Sequence, residues 1–208
     1  MTTEAIDKSR ESLQKSFDLL IAKIGPIRIG SPKQFPFGWR KAAKGRTVWR
    51  IVEEIITQNL EKHHVSLGLL RVEPSKSEVS VYDMACYYQH ESPLYINIKS
   101  AVVGGKRNKD DISKADGLIQ FFTNPNQLFF VATFFIRFND DMTITIEKAV
   151  VFPLAWISDI YVNPSNNGNL QSAYYKDLSY AVKRSNEEFL PLFYEAVNLA
   201  NEKKRKKK

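Results

Sequence analysis

The chain reads as an α/β (α+β) domain with a mixed central β-sheet flanked by helices. Three observations predict it. Helical and strand-like periods follow one another in the order helices, β-rich meander, helix, further strands. Apolar residues make up 43% and aromatic residues 12% of the 208 positions, enough to offset chain entropy in one sizeable core. The run from Leu128 to Phe138 is almost wholly apolar or aromatic, as a central strand covered on both faces would be.

Each element has its own justification. Residues 4 to 23 place Ile6, Leu13, Phe17, Leu20 and Ile21 at helical spacing, predicting an amphipathic helix that stops at Gly25 and Pro26. Residues 26 to 44 set prolines and glycines among aromatic and basic side chains, the composition of an ordered loop. From Thr47 to about Lys62 a second helix buries Val48, Ile51, Val52, Ile55, Ile56 and Leu60. Three β-rich runs follow, Val65 to Val72, Glu78 to Tyr88 and Leu94 to Val102, the last two joined by a short HESP turn. Asp110 to Phe122 reads as a helix capped by Asp110 or Asp111. After the Leu128–Phe138 strand, an Asn-Asp-Asp turn leads into a strand from Met142 to Phe152. A polar loop, VNPSNNGNLQS, then precedes a long helix from about Tyr175 to Asn201. One domain is expected over residues 1–202: N-terminal helix and basic loop to 44, a core over 45–160, and the polar loop with the last helix over 161–202. A basic tail, 203–208, follows and is expected to be disordered.

Composition excludes several classes. A single cysteine, Cys86, cannot make a disulfide framework, and without histidine and acid partners it reads as a packed core thiol. His63, His64 and His90 are scattered and suggest no zinc site. No glycine-rich nucleotide loop is present. No run approaches the roughly 18 to 20 apolar residues of a membrane span, and the N-terminus lacks a signal-peptide apolar region, so a cytoplasmic protein is expected. The formal charge of +7 needs dissection. Six of the 30 basic residues form the tail, leaving 24 basic against 23 acidic residues, net +1, in the body. What informs is placement: Arg28, Lys33, Arg40, Lys41, Lys44, Arg46 and Arg50 share an acid-free stretch, and Lys99, Lys106, Arg107 and Lys109 form a second cluster.

The chemistry lies in VSVYDMACYYQHESPLYINIKSAVVGGK. Asp83 sits near the start of one predicted strand, and Asn97 and Lys99 sit two apart on the next, hence on one face. A hairpin closed by the HESP turn brings the three together at a sheet end. A carboxylate and a second oxygen ligand there would hold Mg²⁺, which keeps several waters of its own. The lysine would orient or help deprotonate an attacking water.

This arrangement resembles the active site of the PD-(D/E)xK nucleases, and the chain, over roughly residues 44 to 180, looks like a type II restriction endonuclease of that superfamily. The stretch KGRTVWRIVEEIITQNL is similar to the helix that precedes the catalytic meander in those enzymes and often lends it an acid. The resemblance implies a restriction-endonuclease-like mixed sheet with helices on both sides, a homodimer gripping double-stranded DNA, Mg²⁺ as the only cofactor, and hydrolysis to 5′-phosphates. Asp83, Asn97, Lys99 and Glu53 would be the catalytic residues, with Asp83, Asn97 and Glu53 on the metal. Glu53 is preferred to Glu54 because it flanks the apolar stripe between Trp49 and Ile56, whereas Glu54 shares the polar face with Arg50 and Gln58.

The family motif has Asp or Glu where this sequence has Asn97. Three readings stay open: a natural variant compensated by Glu53 or Glu54, a substitution that blocks cleavage, or a protein that binds DNA without cutting. For DNA contact, Arg40, Lys41, Lys44 and Arg46, with Phe35, Phe37 and Trp39 interleaved, suit backbone phosphates, or are a surface loop with aromatic plugs. Lys106, Arg107 and Lys109 suit phosphates beside the scissile bond. Asn166, Asn167, Asn169 and Gln171 are forked donor-acceptors around Gly168, suited to adenine in the major groove, and NGNLQS looks like a recognition loop found late in several restriction enzymes. The alternatives from other classes are a non-catalytic nucleic-acid-binding module and an interaction protein with an incidental tail.

Overall fold

A computed structural model describes residues 2–40, 48–77, 80–89, 91–165 and 168–206. Helix α1 (Thr3–Ile24) starts where the Thr2 hydroxyl caps Ala5 N–H and ends at Gly25, whose φ of 64° turns the chain out of the helix. Helix α2 (Trp49–His63) follows the loop, then a single 3₁₀ turn over His64–Leu67 that ends at left-handed Gly68. That turn occupies the first half of the run expected as a strand from Val65, so pairing begins only at Arg71.

Among the described residues nine strands form two sheets. The larger runs β1 (Ile27–Arg28), β7 (Thr143–Pro153), β6 (Leu128–Phe138), β4 (Leu94–Val102), β3 (Met84–Tyr87), β2 (Arg71–Pro74). Only β4 and β6 are parallel, so the sheet is mixed, as expected. The smaller sheet orders β5 (Asp110–Lys114), β9 (Asn169–Ser172), β8 (Tyr161–Val162), all antiparallel.

Helices cover both faces of the large sheet. Phe17 of α1 meets Phe134, whereas Phe121 of α3 (Ala115–Phe121) meets Phe129 and Tyr95. Phe134 and Phe129 differ by an odd number of positions along β6, so they point to opposite sides. Helix α4 (Asn186–Arg205) joins the second layer through Phe189 against Phe122. The strand β6 between these layers carries Phe130, Val131, Ala132, Phe134 and Ile136 at zero exposure, which accounts for its unbroken apolar sequence.

Further elements differ from expectation: the strand expected within Glu78–Tyr88 is, among the described residues, confined to Met84–Tyr87. Asp110–Lys114 is a strand, and the helix starts only at Ala115, because DDISK alternates and pairs with NLQS. NLQS in turn is strand β9, not loop. Helix α4 begins at Asn186 rather than near Tyr175, behind a capping box in which Ser185 and Glu188 satisfy each other's N–H groups. It runs on through Arg205, so half of the basic tail is helical, not disordered.

Candidate active site

The sheet topology brings Asp83, Asn97 and Lys99 together. Strand β3 starts at Met84, opposite Ile96, so β4 beyond Ile96 has no strand beside it on that edge. Asp83 fills the gap. Its N–H donates to the Ile96 carbonyl at 2.8 Å, and its carboxylate accepts the Ile98 N–H at 2.6 Å in place of the missing ladder partner. Asn97 is opposite Asp83 by register, and Lys99 lies two residues further on the same face. On the other side of Lys99, its register partner on β6 is Thr133, fully buried, with a hydroxyl that has no hydrogen-bond partner.

Helix α2 supplies the fourth member. Glu53 is half-buried, and desolvation pushes its pKa up to about 7. Lys99 and Arg50 pull it down and Asp83 pushes it up, so Glu53, Lys99 and Asp83 feel one another's charge. Asp83 is also raised, chiefly by the protein crowded around it, against the Ile98 N–H and the Lys99 ammonium. Its side chain still reaches solvent. Glu54, by contrast, is exposed and accepts a hydrogen bond from Gln58 at 2.7 Å.

Asn97 is 6% exposed. Its Nδ2 donates to the Val81 carbonyl at 3.0 Å, while its Oδ1 is buried without a partner. Among the described residues no three of His, Cys, Asp and Glu gather where they could hold a metal. The donor set is two carboxylates whose pKa values are raised, Glu53 half-buried and Asp83 exposed, and one orphaned amide oxygen. All three are hard oxygen donors, and Mg²⁺ needs only one or two carboxylates because it keeps its waters. The set fits that ion.

Glu53 and Lys99 line an open cleft of about 1430 Å³. One wall is the start of α2 with Trp49, and another is the small sheet with Asp110 and Asp111. Phe135, Lys148 and Val150 form part of its lining from the large sheet. Lys148 is an exposed cation over the Phe135 ring, two strands from Lys99. Sequence reading missed it. A lone lysine in an apolar strand was its only trace, since only the β6–β7 register puts it on the Lys99 side. Tyr175 also escaped notice. It is 2% exposed, its hydroxyl feels Glu53, Asp110 and Asp111, and burial keeps it protonated.

The cations expected on DNA meet different fates. Lys106 is exposed on the cleft lining. Arg107 pairs with Asp177 at 3.1 Å and lies over Tyr180 and Tyr174, two stacked rings. Lys109 rests over Tyr161. Arg40 lies over exposed Phe37, while Trp39 plugs onto Phe138 and donates to the Asn139 carbonyl. Lys41, Lys44, Arg46, Asn166 and Asn167 lie outside the described residues. Gln171 is in strand β9, not a loop, and its amide is committed to Asp111 at 2.6 Å. Asn169, at the other end of that strand, has a buried Oδ1 without a partner.

Among solved structures, the chain is similar to the NlaIV restriction endonuclease at 12% identity, with a TM-score of 0.43 over 76% of this chain and 72% of that one. No family model and no curated protein sequence matches it. Among the described residues no helix is long and apolar enough to cross a membrane.

Proposed function

We propose that this protein is a Mg²⁺-dependent, site-specific deoxyribonuclease that hydrolyses phosphodiester bonds in double-stranded DNA and leaves 5′-phosphates. One observation carries the reading: two carboxylates of raised pKa, Glu53 and Asp83, share the field of the Lys99 ammonium, and Glu53 and Lys99 line an open cleft of about 1430 Å³. That cleft exceeds the roughly 300 to 1,000 Å³ of pockets built for small molecules. The resemblance of Asp83, Asn97 and Lys99 to the PD-(D/E)xK pattern supports the same class.

Asp83 and Glu53 would hold the ion through their carboxylates and Asn97 through its amide oxygen. When bound, the ion would supply positive charge against that building on the scissile phosphate. The chain's own groups do the rest. Lys99 orients the attacking water and neutralises a non-bridging oxygen. Lys106 and Lys148 hold neighbouring phosphates in the cleft. Water attacks phosphorus, the bond to the 3′ oxygen breaks, and that oxygen leaves with a proton as the 3′-hydroxyl. Each chain has one such site and a duplex has two antiparallel strands, so the reading includes a homodimer with one site per strand. It also places the protein in the cytoplasm, where its substrate is.

The test is incubation of unmodified genomic DNA with the protein and Mg²⁺, with and without chelator. Discrete fragments carrying 5′-phosphates, abolished by chelator, are expected. Salt-sensitive duplex binding with intact DNA would instead leave a non-catalytic binding protein.

A further inference from the structure

Val81 lies two residues before Asp83, in the stretch that delivers the carboxylate. Its carbonyl accepts hydrogen bonds from Asn97 Nδ2 at 3.0 Å and, less closely, from Ser113 Oγ at 3.4 Å. Its side chain is pressed by α3, where a Cβ on Gly117 would lie 2.6 Å from Val81 Cγ1. Asp83 is gripped by β4 at Ile96 and Ile98, the neighbours of Asn97 on either side. One short piece of β4 therefore fixes residues 81 and 83 together.

Only an amide suits that position. It offers a donor and an acceptor from the same carbon, whereas an ionised carboxylate only accepts. Asn97 spends its donor on Val81 and leaves Oδ1 without a partner, with 6% of the residue exposed. An aspartate would keep the acceptor but set a carboxylate oxygen against the Val81 carbonyl with no proton between them. It would also add a third acid beside Asp83 and Glu53.

We infer that Asn97, whose Oδ1 stays available to the ion, acts through its Nδ2 as a positioning residue, an amide strut that fixes the Val81–Asp83 stretch and thereby the Asp83 carboxylate. The acid usual two positions before the lysine weakens this site instead of restoring it. Asn97 is on this account the residue the site is built around, not a damaged ligand. The inference rests on the nuclease reading only for its effect on turnover.

The experiment compares wild type, Asn97→Asp, Asn97→Ala and Ser113→Ala. Amide hydrogen exchange is first read on the metal-free proteins at Asp83 and Ile98. Loss of one buried hydrogen bond is expected to speed exchange there by about tenfold in both Asn97 variants, and less in Ser113→Ala, with remote core amides unchanged. Binding of Mg²⁺ alone, by calorimetry, is expected to be no tighter in Asn97→Asp than in wild type. Where wild type cuts DNA, kcat is expected to fall at least tenfold in Asn97→Asp while duplex affinity holds. Unchanged exchange at Asp83 and Ile98 in both Asn97 variants would overturn the strut. So would an Asn97→Asp protein that binds Mg²⁺ more tightly or cuts faster than wild type. Failure of wild type to cut any duplex would overturn the nuclease reading alone, because the exchange result stands without it.

Discussion

Glu53 is the residue whose environment most exceeds what its sequence position indicates. Its place on the flank of an amphipathic helix marked it as an acid in need of a reason, and the cleft provides one. With a value of about 7 in the folded chain against an ordinary 4.5, it keeps a proton that the unfolded chain has released between those two pH values. Its contribution to stability is therefore full below about pH 4.5 and lost as pH rises to 7. Glu53→Gln is expected to raise stability at pH 8 by about 1–2 kcal/mol, a ceiling of about 3 kcal/mol having been lowered by solvent access, and to leave it unchanged at pH 4. Denaturant unfolding at both pH values checks this. Asp83 and Lys99 were legible because a strand period and a short turn suffice to align them. Lys148 and Tyr175 were not, because their placement depends on pairings and packing between segments distant in sequence.

At the scale of elements, local periodicity found what is locally determined. Helix α1, helix α2, β4 and β7 each carry a period that one face of the fold buries, and β6 an unbroken apolar run that is buried on both faces. It missed the small sheet, whose strands β5 and β9 are short, polar and given shape only by each other. The Ser185–Glu188 capping box was readable in the sequence, and the expected start near Tyr175 passed over it. Helix α3 ties these elements to the site through Gly117, which lets the helix approach Val81 closely. Gly117→Ala gains about 1 kcal/mol of helix propensity but forces stiff, β-branched Val81 to move, an overpacking cost of about 1–3 kcal/mol. The expected result is a net loss of up to about 2 kcal/mol by denaturant unfolding, with slower DNA cutting. An alanine variant that is more stable and cuts at the normal rate would contradict the link between α3 and the Asp83 stretch.

For the whole molecule, net charge pointed towards nucleic acid for a poor reason and placement for a better one. The body is almost neutral, and much of the excess lies at the end of α4. Of the basic groups lining the cleft, Arg107 is held by Asp177 and two tyrosines and Lys176 by Asp110, so the nuclease reading assigns phosphates to Lys99, Lys106 and Lys148. The central claim is that Lys99 acts on a scissile phosphate beside Asp83 and Glu53. Its most direct test is single-turnover cleavage of a cut-site duplex by wild type and Lys99→Ala at saturating Mg²⁺, with duplex binding measured in parallel. The rate is predicted to fall about 10²- to 10³-fold in Lys99→Ala while binding stays within a few-fold. Cutting by Lys99→Ala at the wild-type rate would contradict it.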